Sequence, residues 1–397
     1  MAWQSDERWR ARWLAVLALV VLAACGKQSA QNPPHSTSSP SPSPSVSTPS
    51  SKEFLFAVLE SHTKSPDGFG LYETVAIAGL DGFARAKTTF APLTPPYVGC
   101  VGPLFPPQAH TASGRVFFID GKGVVRSLGP DRTVKEVASF PIGKQQEASF
   151  AVSPDGRHLL GSVLTIPPKS SDANACVSSG MGFAPGDWSE DIYAADAGGP
   201  SRLLSHRAWP QADVSKVLDL VGWNARGPLA TFPAAYGTQG GGPVRDGWYG
   251  PVVRLDPSTG NVQQQLGSDT CFVDDVASDG SYVCASPQGV DVFHPDGSVA
   301  WKFAKANESY MVPLLAPDLN HVAAIGPVVL GKDGSSSPIG TGGSTGANFY
   351  ASGWLDSQTI IGWGTLTPQE MVVVRLAKPS QIDDLGFRGA FVGVVNS

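Results

Sequence analysis

The chain has 397 residues, 42% of them apolar, which is enough for a substantial core and excludes a chain disordered throughout. Its net charge is −6 and the body carries no Lys/Arg cluster, so the positive stripe that nucleic-acid binding requires is missing. Charged residues reach only 16%, while Gly (45) and Pro (34) fill about a fifth of the positions against a usual ~12%, a bias toward turn-rich β structure.

At the amino end, Arg8, Arg10 and Arg12 precede the apolar run WLAVLALVVLAA (13–24), followed at once by Cys25. The run is too short to cross ~30 Å of hydrocarbon but suits the apolar region of an export signal. With Leu22, Ala23 and Ala24 before Cys25, the stretch resembles the lipobox of bacterial lipoproteins at each of its four positions. That resemblance implies a signal peptide over residues 1–24, cleavage before Cys25, a diacylglycerol on its sulfur, and a location on the extracytoplasmic face of the cell membrane. Residues 26–53 (GKQSAQNPPHSTSSPSPSPSVSTPSSKE) alternate Ser with Pro and hold almost nothing to bury, so residues 25–53 read as a lipidated cysteine on an extended, solvated tether. This tether resembles those of Gram-positive, especially actinobacterial, lipoproteins.

From Phe54 onward no stretch sustains a 3.6-residue period, whereas β-branched and aromatic runs such as EFLFAVL, RVFFID, GVVRSL, GPVVRLD, SYVCAS and MVVVRL are frequent. Two series of turns separate them. The first closes a strand pair whose second member is especially apolar: 112–115, 153–156, 223–227, 278–281, 316–320 and 354–357. The second follows the next strand: 79–82, 129–132, 196–199, 256–260, 294–297, 331–334 and 377–380. Asp and Asn bond their own backbone in such turns and Gly supplies positive φ.

The two series interleave into a unit of four strands, A to D. Seven units over residues 54–397 average about 49 residues each, near the ~40 to 50 of a propeller blade. A pair of β-sandwiches would also show regular turns, but the A-B-C-D alternation favours an all-β propeller of seven four-stranded blades. The first unit lacks an A strand and the chain ends in a spare one, RGAFVGVV (388–395), so the tail is expected innermost in blade one, beside residues 54–60, closing the ring without a free edge. The SPDG hairpin at 153–156 resembles the repeats of TolB-like and WD-type propellers of bacterial envelope proteins. The Trp-Asp dipeptide of the WD family is absent, and the resemblance implies a fold and a habit of binding, not a particular activity.

In such a blade the A–B and C–D turns share one face and the B–C and D–A connections the other. Here the first set is uniformly tight, and the second holds the long insertions 91–110, 165–191, 205–216 and 232–250. Long loops on a rigid scaffold are where function concentrates. They gather Asp187, Trp188, Trp209, Tyr236, Arg245, Asp246, Trp248 and Tyr249, a set suited either to stacking on a sugar-like or flat ligand and anchoring a protein, or to plugging the channel mouth.

Four cysteines besides Cys25 remain, an even number that favours disulfides in an exported chain. Of the three possible pairings, the one expected joins Cys100 to Cys176, both in long loops, and Cys271 to Cys284 across one hairpin. A tight turn at Asp279–Gly280 would set Cys284 opposite residue 275, about 13 Å of strand away from Cys271, so the second pairing requires a bulge. No C-x-x-C exists and the seven His are scattered, so no metal is expected. Asp269, Asp274, Asp275 and Asp279 cluster without calcium-loop spacing and read as solvated strand ends. GGSTG (342–346) matches G-x-S-x-G without the strand and helix that a nucleophile elbow needs. Neither a phosphate-cradling glycine loop nor a dinucleotide fingerprint is present, and no cofactor is expected.

Two functions remain open. One is a non-catalytic, membrane-anchored body, monomeric, that binds a protein or an envelope polymer such as a polysaccharide through its long-loop face. The other is a hydrolase or lyase acting on a carbohydrate or peptide in the central channel, with Asp187 and Asp246 as acid and base. Convergence of those two carboxyls on the ring axis, with raised pKa, would favour the enzyme.

Overall fold

The computed structural model describes residues 54–62, 72–93, 104–105, 108–167, 186–210, 213–232, 251–268, 270–286, 289–304, 311–325, 327–340, 349–364 and 370–395. Twenty-eight strands run through them. Blade one takes β1 (Leu55–His62), β2 (Tyr72–Gly79) and β3 (Ala84–Phe90); blade two β4 (Ala109–Ala112), β5 (Arg115–Ile119), β6 (Val124–Leu128) and β7 (Val134–Ser139); blade three β8 (Gln146–Val152), β9 (His158–Thr165), β10 (Trp188–Asp196) and β11 (Arg202–Trp209). Blade four follows with β12 (Asp219–Asn224), β13 (Gly227–Thr231), β14 (Val252–Leu255) and β15 (Val262–Leu266), and blade five with β16 (Phe272–Val276), β17 (Tyr282–Ser286), β18 (Gly289–Phe293) and β19 (Val299–Ala304). Blade six is β20 (Met311–Leu315), β21 (His321–Ile325), β22 (Val328–Gly331) and β23 (Ser336–Pro338); blade seven is β24 (Phe349–Asp356), β25 (Thr359–Gly364), β26 (Glu370–Arg375) and β27 (Ile382–Arg388), after which β28 (Ala390–Val394) crosses back to blade one.

Each blade is a four-stranded antiparallel sheet, and the order β28-β1-β2-β3 makes the last strand the innermost member of the first sheet. Phe56 lies opposite Val394, Ala57 opposite Gly393, and, beyond a bulge, Val58 opposite Phe391. The Val395 amide donates to the Leu55 carbonyl at 2.9 Å. The ring is thus sealed by its own tail, as the missing first A strand requires. One boundary differs from expectation: Arg388 ends β27, and only Gly389 separates β27 from β28.

The turn series follow from local chemistry. At SPDG, the Asp155 carboxylate accepts the Ser153 hydroxyl at 2.6 Å and the Arg157 amide at 3.1 Å. The Gly156 amide donates to the Ser153 carbonyl at 2.8 Å, with φ at 71°. Asp256, Asp296 and Asp333 repeat the same bond to the amide two residues on, at 2.7 to 2.9 Å.

Burial tracks position in the blade. Along β8 and β9 almost every residue is buried on both faces, because inner strands are flanked by a blade on either side. The outer strands β7, β11 and β15 are mainly exposed along the rim. Among the described residues the core separates into clusters between successive blades: Phe117, Val125, Phe150 and Val163 join blades two and three, while Phe56, Val58, Ile361 and Val373 join blade seven to blade one.

The bulge required by the second cysteine pair is present between Val273 and Asp275, setting Cys284 opposite Val273. Cys271 and Cys284 are disulfide-bonded with their Cα atoms 5.3 Å apart. Cys25, Cys100, Cys176 and the GGSTG stretch lie outside the described residues.

Candidate functional site

The long-loop face can be built from its described edges. Trp188 begins β10 and Trp209 ends β11, paired directly across the sheet, so the strands of blade three extend well into what the sequence reads as loop. Trp188 is 0% and Trp209 6% exposed, packed with Leu104, Phe105, Leu164, Ile166 and Val217. The two indoles are therefore part of a buried cluster instead of an open stacking surface. Antiparallel pairing is what the alternating WSEDIYAAD pattern favours once its partner strand is available, a long-range condition invisible in the local composition. Asp187 stands exposed just ahead of β10. Tyr236, Arg245, Asp246, Trp248 and Tyr249 lie outside the described residues.

Buried polar groups fasten that cluster to the ring. Glu147 on β8 accepts the Phe105 amide at 2.9 Å. Glu190 on β10 accepts the Ser162 hydroxyl at 2.6 Å and the Leu218 amide at 2.9 Å, and pairs with the Arg207 guanidinium. Gln108 donates to Asp219 at 2.6 Å and accepts the Phe150 amide at 3.1 Å, and Ser149 accepts the Leu220 amide at 2.9 Å. Glu147 and Glu190 satisfy backbone amides in connections between blades, and Gln108 and Ser149 amides within the inner strands β8 and β12, groups that water would otherwise have to reach. Burial pushes the Glu147 carboxyl up to about 8, opposed by the amides of Phe105 and Leu104 and reinforced by the Asp219 charge. Burial likewise raises Glu190, with the Arg207 charge pulling the other way.

A second constellation lies on the ring axis. A cavity of about 470 Å³ is walled by parts of β4, β12, β16, β20, β24 and β28, six of the seven innermost strands. Its wall extends to Ala277, Ser278 and Pro317, at the turns of the tight-turn face. Asp274 and Asp275 look onto it from β16 with His110, Trp354, Trp363 and Phe391. The Asp275 carboxylate accepts the Leu315 amide of the next blade at 2.9 Å and the Val276 amide at 2.9 Å; Asp274 accepts the Ala285 amide at 3.2 Å. The indole N–H of Trp354 donates to the Leu314 carbonyl at 2.9 Å and that of Trp363 to the Gly389 carbonyl at 3.0 Å.

Asp274 and Asp275 correct the sequence reading. They are not solvated strand ends: the bulge after Val273 places both within an inner strand, half-buried and enclosed by neighbouring blades. Burial raises Asp274 to about 7, with the Asp275 charge adding, and raises Asp275 to about 6, each opposed by backbone amides. Asp279 is exposed in its turn, bonded to Ser281 at 2.9 and 3.0 Å. Among the described residues no group of three or more His, Cys, Asp or Glu could hold a metal ion. Asp187 is not among the residues that wall the cavity.

Four-stranded sheets radiating from a walled axis define a seven-bladed β-propeller. No protein-family model matches the chain, and no curated protein matches it. Among solved structures it is similar to TolB from Acinetobacter baumannii, at 12% identity and TM-score 0.39, over 87% of this chain and 67% of that one. A putative TolB from Agrobacterium tumefaciens gives 12% and 0.35, over 86% and 92%. Dipeptidyl peptidase 4 from Porphyromonas gingivalis gives 9% and 0.46, over 83% of this chain and 50% of the peptidase, so the chain spans half the length of that protein.

Proposed function

We propose that the protein is a membrane-anchored extracytoplasmic lipoprotein whose propeller binds a protein or an envelope polymer through its long-loop face, without catalysis. The observation that supports this reading is the inequality of the two faces. Both turn series close tightly, while the residues that join β9 to β10 and β13 to β14 number about twenty on the opposite face. Buried carboxyl groups of Glu147 and Glu190 bind the Phe105 and Leu218 amides, fastening the described ends of the connections to the ring. The LAAC motif at Leu22–Cys25 and the Ser/Pro tether support the anchor.

The test is chemical cross-linking on intact cells of the native host, comparing the full chain with a variant lacking residues 232–250. A partner joined to the full chain and lost from the deletion, with both proteins folded and at equal level, supports the reading. Equal cross-linking of the same partner by both refutes the assignment to that face.

A further inference from the structure

We propose that the axial cavity is a binding site for a small organic cation, an alkylammonium held by Asp274 and Asp275 against the half-buried rings of Trp363 and Phe391. This site is distinct from the long-loop face and stands or falls apart from the function proposed above.

Size and enclosure come first. At about 470 Å³ the cavity falls within the ~300 to 1,000 Å³ of small-molecule sites. Its walls are strands of a closed ring, so it exists before any ligand arrives.

The sign of the lining comes next. Two carboxyl groups face the cavity, and among the described residues that wall it there is neither Lys nor Arg, with His110 the one other titratable group. The Asp275 oxygens are engaged by the Leu315 and Val276 amides, donors that fix the carboxylate on the wall. Asp274 engages the Ala285 amide through Oδ2 alone, which leaves Oδ1 able to accept from a ligand. A cation supplies the countercharge that two acids enclosed by neighbouring blades lack. An anion or a second carboxylate would meet repulsion.

The aromatic wall selects the type of cation. The Trp363 indole is fixed by its N–H bond to the Gly389 carbonyl, so it does not have to be ordered when a ligand enters, while Trp354 is covered and backs the wall. The half-buried rings of Trp363 and Phe391 suit the diffuse charge of an alkylammonium. A hard divalent ion would need six or more oxygens. The described residues offer no such group.

The experiment is isothermal titration of the full-length protein with tetramethylammonium chloride, with spermidine, sodium glutamate and calcium chloride as parallel arms. Tetramethylammonium is expected to bind with a dissociation constant below about 10 mM, with spermidine tighter, glutamate silent, and Asp274→Asn weakening both amines by about tenfold. Asp279→Asn, in an exposed turn, serves as the control and is expected to change nothing. Should Asp275→Asn fail to fold through loss of its bond to Leu315, Asp274→Asn still decides, since that residue holds one amide only. The idea is overturned by no amine binding at that level, by amine binding indifferent to Asp274→Asn, or by calcium binding that excludes the amines.

Discussion

Replacing Glu147 by Gln should make the protein more stable, and increasingly so as pH rises. Glu147 is 1% exposed and its carboxyl is pushed from 4.5 up to about 8, chiefly by burial. In the folded chain the group is therefore protonated at neutral pH, whereas in the unfolded chain it is ionised. Keeping it protonated at pH 7 costs about 1.4 kcal/mol for each unit between 4.5 and 7, so about 3 kcal/mol as an upper bound. The sign follows from the raised folded value: stability from this group is complete below about 4.5, declines as pH climbs, and is fully lost above about 8. Gln keeps an oxygen able to accept the Phe105 amide, now 2.9 Å from Glu147, and carries no proton to lose. Urea unfolding of both proteins at a series of pH values from about 5 to about 8 measures the difference, which should be near zero at the acid end and widen to a few kcal/mol at the other. A variant less stable at every pH, or a difference independent of pH, would show that Glu147 serves the fold as a charged acceptor and would refute the reasoning.

Deleting residues 389–397 should unseal the ring and lower the melting temperature by well over 10 °C, because β1 loses its partner and Phe56, Val58 and Phe391 lose their shared core; an unchanged transition in calorimetry would argue against the latch. Gly389→Ala should cost about 2 kcal/mol, since Gly389 has φ 127° and an added Cβ would stand 2.5 Å from the Leu59 carbonyl oxygen, and equal denaturation midpoints would contradict this. Removing the Cys271–Cys284 bond by Cys271→Ser should lower stability by about 3 kcal/mol under oxidising conditions and by much less in reductant. Cys25→Ala should shift the protein from the membrane to the soluble fraction, and its retention on membranes would end the lipid-anchor proposal. Amine affinity in the channel should rise between about pH 5 and about 8 as Asp275 and then Asp274 ionise, and a pH-independent affinity in titration calorimetry would contradict this.

The blades were legible because their signals are local. A hairpin needs an acceptor such as Asp155 or Asp296 at one position and a residue free to take positive φ, such as Gly156 or Gly297, a step or two later. Those requirements are met within four residues, and their order along the chain carries the four-strand period. Even the latch could be read, since a first unit without an inner strand and a last strand without a partner are complementary defects.

The candidate site was legible only in part. Trp188 and Trp209 stand out in the sequence only as two of eight candidate ligand-binding residues on long loops, and composition could not say that they pair across β10 and β11 and are covered. Nothing local marks Glu147, and Glu190 falls within the stretch 165–191 that reads as a long loop, because what sets both apart is burial against connections some tens of residues away. Asp274 and Asp275 were taken for solvated ends because a bulge shifts which face a side chain presents, and no turn motif marks one.

By itself the sequence determined the four-strand repeat, the two interleaved turn series and the closing strand, since each depends on neighbours a few residues apart or on simple counting, while the ring itself settles the blades at seven. The tertiary structure alone decided what faces the axis. His110, Asp275, Trp354 and Phe391 are separated by scores of residues in the chain and share one cavity only because the ring brings its inner strands together. Alternation along a strand tells which residues share a face; whether that face meets a neighbouring blade, the channel or solvent is fixed by the closure of the circle.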